Sequence, residues 1–111
     1  MTIDRRFEGQ RLQADCSLTL FVDGSGRSAR TLDLSCGGAL VHEGRAARRA
    51  LPLVCPVELR LGDATPIQGL ARTVRSGGGR HALRFIGMSE VDRLEIAEHL
   101  DRLRQRRARA A

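Results

Sequence analysis

Apolar and polar residues alternate along several short stretches of the first 86 residues. In residues 14–22 the apolar member of each pair recurs at every second position, at Cys16, Leu18, Leu20 and Val22. Successive side chains of a β-strand point to opposite faces, so this alternation predicts a strand with one buried face. Similar patterns predict five further strands, at residues 28–34, 39–41, 57–61, 67–74 and 81–86.

Residues typical of turns separate these strands. The turn signals lie at residues 23–26, 62–63 and 76–79. Gly69 falls inside a strand pattern, where it predicts a β-bulge. Pro52 and Pro56 bracket residues 53–55, which favours an edge segment there over a central strand. Strands spaced about ten residues apart and joined by glycine-containing turns predict an antiparallel barrel or sandwich.

The last part of the chain has a different period. Ser89 followed by Asp92 resembles a capping box, which predicts a helix over residues 89–107. Apolar residues then recur at spacings of three, with Ile96 beside them: Val91, Leu94, Ala97, Leu100 and Leu103. We expect this stripe to cover an open end of the barrel. The arginines of the last turns suit the negative end of the helix dipole, although a basic face can also meet a membrane or a nucleic acid.

Composition restricts the possible functions. The 111 residues suffice for one domain, 1–111, with a modest core. The net charge is +6, and the chain contains arginine but no lysine. Three cysteines without a CxxC spacing predict reduced thiols and no zinc site. With no long apolar run and no signal-peptide pattern, we expect a cytoplasmic protein.

Two classes of function fit poorly. Barrels that bind single-stranded nucleic acids stack bases on aromatic side chains, and this chain has three Phe and no Tyr or Trp. We therefore expect no nucleic acid partner. Ser35 does not lie in a hydrolase elbow because Asp33 occupies the position of its first glycine, and no paired carboxylates or phosphate-binding loop are present. We therefore expect that the protein is not an enzyme and that it has no cofactor.

Polar groups converge where the second predicted strand ends. Asp33 and Ser35 are two residues apart, so on a strand they share a face, and Gly37 and Gly38 follow at once. The glycines predict positive φ angles in a tight turn, with backbone N–H groups open to a ligand. A second interpretation is that Asp33 and Ser35 only satisfy the backbone of that turn through local hydrogen bonds.

The pattern Asp33-x-Ser35-x-x-Gly38, preceded by an arginine-rich arm at Arg5, Arg6 and Arg11, resembles the PilZ family of bacterial cyclic di-GMP receptors. The resemblance implies a mainly β fold, a small six-stranded antiparallel β-barrel over residues 14–86 with a C-terminal amphipathic helix. It also implies ligand roles. Arg6 and Arg11 would clamp phosphates and guanine edges, Asp33 would accept from guanine amines, and Ser35 would bond a ligand oxygen. The backbone at Gly37 and Gly38 would admit the ligand closely.

The arm departs from the family spacing, in which three residues separate two arginines. Here four residues separate Arg6 from Arg11, and five separate Arg5 from Arg11. Gly9 can absorb the extra residue in a bulge, or Arg5 can replace Arg6. On binding, the arm at residues 1–12 would order and signal to an unidentified bacterial effector protein. The alternative is a PilZ-like interaction module that does not bind cyclic di-GMP because its arm is stretched.

Overall fold

The computed structural model describes residues 16–44, 50–62 and 64–110. Its elements are β1 (Ser17–Val22), β2 (Ser25–Ser35), β3 (Gly38–His42), β4 (Val54–Arg60), β5 (Ile67–Gly77), β6 (Arg80–Gly87) and the helix α1 (Glu90–Ala110). The strands form a closed antiparallel barrel in the order β1-β2-β3-β6-β5-β4. The fold class predicted for the chain is therefore confirmed.

The alternating apolar residues point into the barrel, as predicted. Leu18 and Leu20 of β1 are at most 1% exposed, and Phe85 of β6 is also buried. Other strands contribute Leu34, Val41, Val57, Leu59, Ile67, Ala71 and Leu83. A single contiguous core therefore holds the six strands.

Strand ends differ from the predictions where backbone geometry matters. The first hairpin has a two-residue turn, Asp23 and Gly24, both with positive φ, so β2 begins at Ser25. Strand β4 begins at Val54 and contains Pro56. Its register with β1 covers only Val57–Arg60. Pro56 therefore lies where β4 pairs with β5 alone, and the N–H that proline lacks is not required for a bond to β1.

The bulge predicted at Gly69 is displaced along β5. Gly69 pairs regularly with Val57, and the register shifts lie at Leu70/Ala71 and at Thr73/Arg75. Gly69 has a packing reason instead, because a Cβ there would lie 2.9 Å from the carbonyl oxygen of Gly87. Gly69 therefore marks a close approach of the β5 and β6 backbones and not a bulge.

The helix α1 begins as predicted and packs differently. Ser89 Oγ accepts a hydrogen bond from the Asp92 N–H at 3.1 Å, which caps the first turn. Ile96 and Leu100 are buried and Leu103 packs partly on the core, whereas Leu94 is exposed. The predicted stripe at spacings of three is therefore wrong in its first half, because residues four and seven apart share a helix face. None of the described helices is both long and apolar enough to cross a membrane.

Candidate ligand-binding site at the β2–β3 turn

A bulge in β2 decides which side chains of the motif face outwards. Thr31 pairs with Val41 and Asp33 with Leu40, so Leu32 is an extra residue between the two pairs. Sequence alternation predicted that Leu32 and Leu34 share the buried face. The structure buries Leu34 completely and leaves Leu32 and Asp33 partly exposed.

The alternation of apolar and polar residues predicts an outward Thr31, but the structure buries this residue. It is 5% exposed, and its Oγ1 donates to the Cys16 carbonyl at 2.9 Å and accepts from the Cys16 N–H at 3.1 Å. These bonds compensate the burial of a hydroxyl, which would otherwise cost free energy. Fixing Thr31 inwards and inserting one residue after it brings the Asp33 carboxylate towards the outer face.

Ser35 stabilises the turn from within. Its Oγ accepts from the Gly37 N–H at 3.2 Å and donates to the Gly38 carbonyl at 3.4 Å, and the residue is 4% exposed. Ser35 therefore satisfies the turn backbone, which is the Ser35 part of the second interpretation. The expectation that the Gly37 N–H is open to a ligand is wrong, because the Ser35 hydroxyl already accepts from it.

Gly37 and Gly38 are not among the residues with positive φ, which corrects the expected reason for the pair. A Cβ on Gly38 would overlap the Leu83 carbonyl oxygen of β6, whereas one on Gly37 would meet only Ser35 Oγ, at 3.9 Å. Gly38 is therefore needed for the close approach of β3 to β6. Sequence could signal a special backbone position here, but not which kind.

The helix α1 and strand β6 hold this turn from the side. Arg93 of α1 donates to the Phe85 carbonyl at 2.8 Å and to the Cys36 carbonyl at 3.4 Å. The Phe85 N–H in turn donates to the Gly37 carbonyl at 2.9 Å. The motif turn, β6 and the first turns of α1 therefore form one hydrogen-bonded unit.

A cleft of about 290 Å³ separates the turn from α1. Its lining consists of Ser35, Cys36, Ala97, Glu98, Leu100, Asp101 and Arg104. The lining includes the apolar Ala97 and Leu100 and an ion pair between Arg104 and Asp101, with atoms 3.8 Å apart. Its volume is near the lower end for small-molecule pockets, roughly 300 Å³.

Exposed arginines share the outer surface of the barrel with Asp33. Arg84 of β6 pairs with Gly38 and with Arg72 of β5, and strand β3 separates both of them from Asp33, which lies opposite Leu40. Arg30, Arg72 and Arg84 are exposed. A carboxylate on a surface that also carries guanidiniums suits an anion that has N–H donors as well. Sequence analysis missed these strand arginines, whose signal was their alternation with buried residues.

The predicted arm cannot be placed beside this face. Arg5, Arg6 and Arg11 lie outside the described residues. The structure brings together Asp33, Ser35 and the two glycines on one hairpin, with Asp33 partly exposed and Ser35 directed into the turn. In the described ranges, no three His, Cys, Asp or Glu side chains are grouped so that they could hold a metal ion.

A buried ionic cluster, not foreseen from the sequence, closes the opposite end of the barrel. The Glu43 carboxylate accepts from Arg27 Nε at 2.7 Å and Nη2 at 2.6 Å, and from His81 Nε2 at 2.8 Å. Ser76 Oγ lies 2.8 Å from His81 Nδ1. Burial alone would raise the pKa of Glu43, but the hydrogen bonds from Arg27 and His81 outweigh it and lower that pKa.

Several solved structures of other proteins share the fold of this chain. No protein-family model and no curated sequence matches the chain. The Bacillus subtilis inhibitor of motility, MotI/DgrA, superposes with a TM-score of 0.74 at 13% identity, over 86% of this chain and 50% of that one. This chain thus spans half the length of that protein.

Two further solved structures match along nearly their whole length. The Legionella uncharacterized protein Lpg0364 has a TM-score of 0.62 at 19% identity, over 88% of this chain and 97% of that one. The PilZ domain of CeSA from a cellulose-synthesizing bacterium has a TM-score of 0.58 at 27% identity, over 84% and 92%. Together with the six-stranded barrel already described, these likenesses show that the chain has a PilZ-like fold.

Proposed function

We propose that this domain binds cyclic di-GMP on the outer face of the β2–β3 hairpin. The observation that carries the proposal is the Asp33 carboxylate, which the β2 bulge leaves partly exposed on a face rich in arginine. A carboxylate repels a simple polyanion but accepts two hydrogen bonds from the N1–H and N2–H edge of guanine. The arginines supply planar forks for phosphate oxygens and for guanine O6 and N7.

The arm completes the proposed site. Arg6 and Arg11, with Arg5 as the alternate partner, clamp the dinucleotide against the hairpin. Part of the interaction free energy orders residues 1–12, as in other cases of coupled folding and binding. The ordered arm then presents a new surface to an effector protein in the cytoplasm. Ser35, whose hydroxyl bonds to Gly37 and Gly38, contributes by fixing the turn that carries Asp33.

Calorimetric titration with cyclic di-GMP tests the proposal, with GTP and a linear dinucleotide as controls. Asp33→Asn should weaken binding by about 1.5–3 kcal/mol, because the charged acceptor for the guanine edge is lost. Asp23→Asn is the matched control: it removes the same charge at the far hairpin turn, where Asn tolerates the positive φ of 53°. If both variants bind as wild type, the role of Asp33 is wrong.

Variants of the arm identify the arginine that partners Arg11. If Gly9 forms a bulge, Gly9→Val should weaken binding about as much as Arg6→Ala, and Arg5→Ala should have little effect. If Arg5 is the partner, Arg5→Ala carries the loss and Gly9→Val is mild. Arg11→Ala should be severe in either case. Wild-type binding by all three arginine variants would exclude the arm from the site.

A second candidate function is a protein-interaction module that does not bind the dinucleotide. The observation that favours it is the turn itself, where the Ser35 hydroxyl and the Gly37 N–H bond to each other and not outwards. The stretched arginine spacing points the same way. Absence of any heat or thermal shift with cyclic di-GMP, for a folded wild-type protein, would select this function.

A further inference from the structure

The outward face of α1 combines unburied apolar residues with an unusual order of charges. Val91 and Leu94 are 75% and 58% exposed, although they are large and apolar. The helix turns by about 100° per residue, so both lie on the side opposite Ile96 and Leu100, which bury against the barrel. Within the part of the chain that the structure describes, these two side chains therefore stay largely exposed.

The charges of α1 are separated along its length. The acidic residues all lie in its first twelve positions, at Glu90, Asp92, Glu95, Glu98 and Asp101. The arginines of its remaining positions are Arg102, Arg104, Arg106, Arg107 and Arg109, with no acidic residue among them. Arg93, in the acidic part, is turned to the Phe85 and Cys36 carbonyls of the barrel. The exposed surface of α1 is thus acidic in one half and basic in the other.

We infer that the outward face of α1 binds a second copy of this chain, with the two helices antiparallel. An antiparallel pair centred near residue 100 places Glu98 opposite Arg102 of the second copy, and Leu94 opposite Arg106. Val91 then meets the aliphatic stem of Arg109, which can cover apolar surface while its charge stays in water. Each half of one helix meets the oppositely charged half of the other.

The geometry selects this occupant over others. A parallel pair would set acidic half against acidic half and basic half against basic half, which is unfavourable. A membrane would repel the acidic half, and the basic half carries only alanines on its exposed apolar positions. A two-fold antiparallel pair also uses one surface patch twice, as closed dimers do. The pair rests on few apolar contacts and many exposed charges, so its affinity should be modest and salt-sensitive.

Analytical ultracentrifugation of the full chain over a range of concentrations tests the dimer. Wild type should associate to a dimer at low salt and dissociate as salt rises. Leu94→Arg sets a positive charge opposite Arg106 of the second copy and should weaken association at least about tenfold, equivalent to about 1.4 kcal/mol. Val74→Arg is the matched control, because Val74 is 64% exposed on β5 and lies outside α1. A wild type that stays monomeric at low salt overturns the inference.

Charge reversal in the two halves tests the orientation. Glu95→Arg with Glu98→Arg makes the helix mainly basic, and Arg102→Glu with Arg106→Glu makes it mainly acidic. Each double variant alone should associate at least about tenfold more weakly than wild type, and an equimolar mixture should recover the dimer. Arg72→Glu with Arg75→Glu on β5 lowers the net charge by the same amount as Arg102→Glu with Arg106→Glu and should leave the dimer intact.

Circular dichroism confirms that each variant retains its helix. Undiminished dimers in both double variants, or a mixture that stays monomeric, would contradict antiparallel pairing through α1. If a double variant unfolds, the salt dependence of the wild type still decides, because an apolar interface elsewhere on the barrel would strengthen or stay constant as salt rises.

Discussion

The two ends of the barrel are closed by different chemistry. At the end that carries the motif turn, α1 covers the opening with Ile96 and Leu100, and Arg93 bonds to two backbone carbonyls. At the other end, the Glu43 carboxylate, whose side chain is 4% exposed, accepts from Arg27 and His81 inside the wall. One end is apolar with hydrogen bonds to carbonyls, and the other is ionic and buried.

The difference separates adaptable from rigid parts of the molecule. A hydrogen bond typically contributes about 0.5–1.5 kcal/mol net and can be exchanged for a bond to water or ligand. Removing one partner of a buried ion pair costs roughly 3–5 kcal/mol, because the other charge is left without compensation. The Glu43 end therefore anchors the barrel, and the contacts of the motif end, beside the cleft, are easier to exchange.

A large effect is expected at the ionic end. Glu43→Ala should destabilise the fold by roughly 3 kcal/mol, because it leaves the Arg27 guanidinium partly buried without its carboxylate. Glu58→Ala is the control, since Glu58 only approaches Arg60 at 3.6 Å on the surface, and should cost less than about 1 kcal/mol. Urea denaturation measures both. Equal losses would show that the Glu43 cluster is not an anchor.

Acid should weaken the same cluster. The pKa of Glu43 in the fold lies below its ordinary value of 4.5, so the unfolded chain binds more protons than the fold does at acidic pH. The stabilisation is therefore fully present above about pH 4.5 and is lost as the pH falls through the lowered pKa. Melting curves from pH 7 to 3 should show a steeper decline for wild type than for Glu43→Gln. Parallel declines would contradict this assignment.

On α1, truncation of a leucine to alanine should destabilise the fold strongly on the buried face and have little effect on the exposed face. Leu100→Ala should cost about 2–5 kcal/mol because Leu100 is 4% exposed over the barrel end. Leu94→Ala should change stability by less than about 0.5 kcal/mol at concentrations where the chain is monomeric. Thermal melting of dilute samples makes the comparison. A costly Leu94→Ala in dilute solution would mean that Leu94 has a partner within the chain.

Sequence predicted the strands well and their local irregularities poorly. Alternation at Leu18 and Leu20 gave the buried face directly, because one face of a strand repeats every second residue. The bulge after Thr31 breaks that rule without any glycine or proline to announce it. Similarly, the start of the helix followed from Ser89, whereas its end lies at Ala110 and not at residue 107, and its buried face depended on where the barrel end lies.

The site was predictable as a motif but not as a geometry. Asp33, Ser35 and Gly38 were found from their spacing, yet hydrogen bonding of Ser35 to the turn and the contact of Gly38 with Leu83 depend on strand pairing. The partners of Glu43 are 16 and 38 residues away in sequence, so no local pattern could reveal the cluster. Pairing of distant strands is what single-sequence reasoning lacks.

The two motif glycines should differ in their tolerance of a methyl group. Gly38→Ala should destabilise by about 1–3 kcal/mol, because its Cβ would overlap the Leu83 carbonyl and push β3 from β6. Gly37→Ala should be nearly neutral, since φ there is not positive and the nearest atom lies 3.9 Å away. Chemical denaturation of the two variants would decide, and equal stabilities would contradict the close approach.

A small expected effect gives the sharpest test of adaptability at the motif end. Arg93→Ala removes the bonds from α1 to the Cys36 and Phe85 carbonyls and should cost only about 1 kcal/mol, because water can replace the lost donors at this partly buried position. Arg93→Lys should recover part of the loss. If the motif end adapts, amide hydrogen exchange should speed up at Gly37 and Phe85, whose backbone groups bond to each other, while His81 and the Glu43 end keep their protection. Uniform acceleration throughout the barrel would show that the two ends unfold together and that the contrast between them has no dynamic consequence.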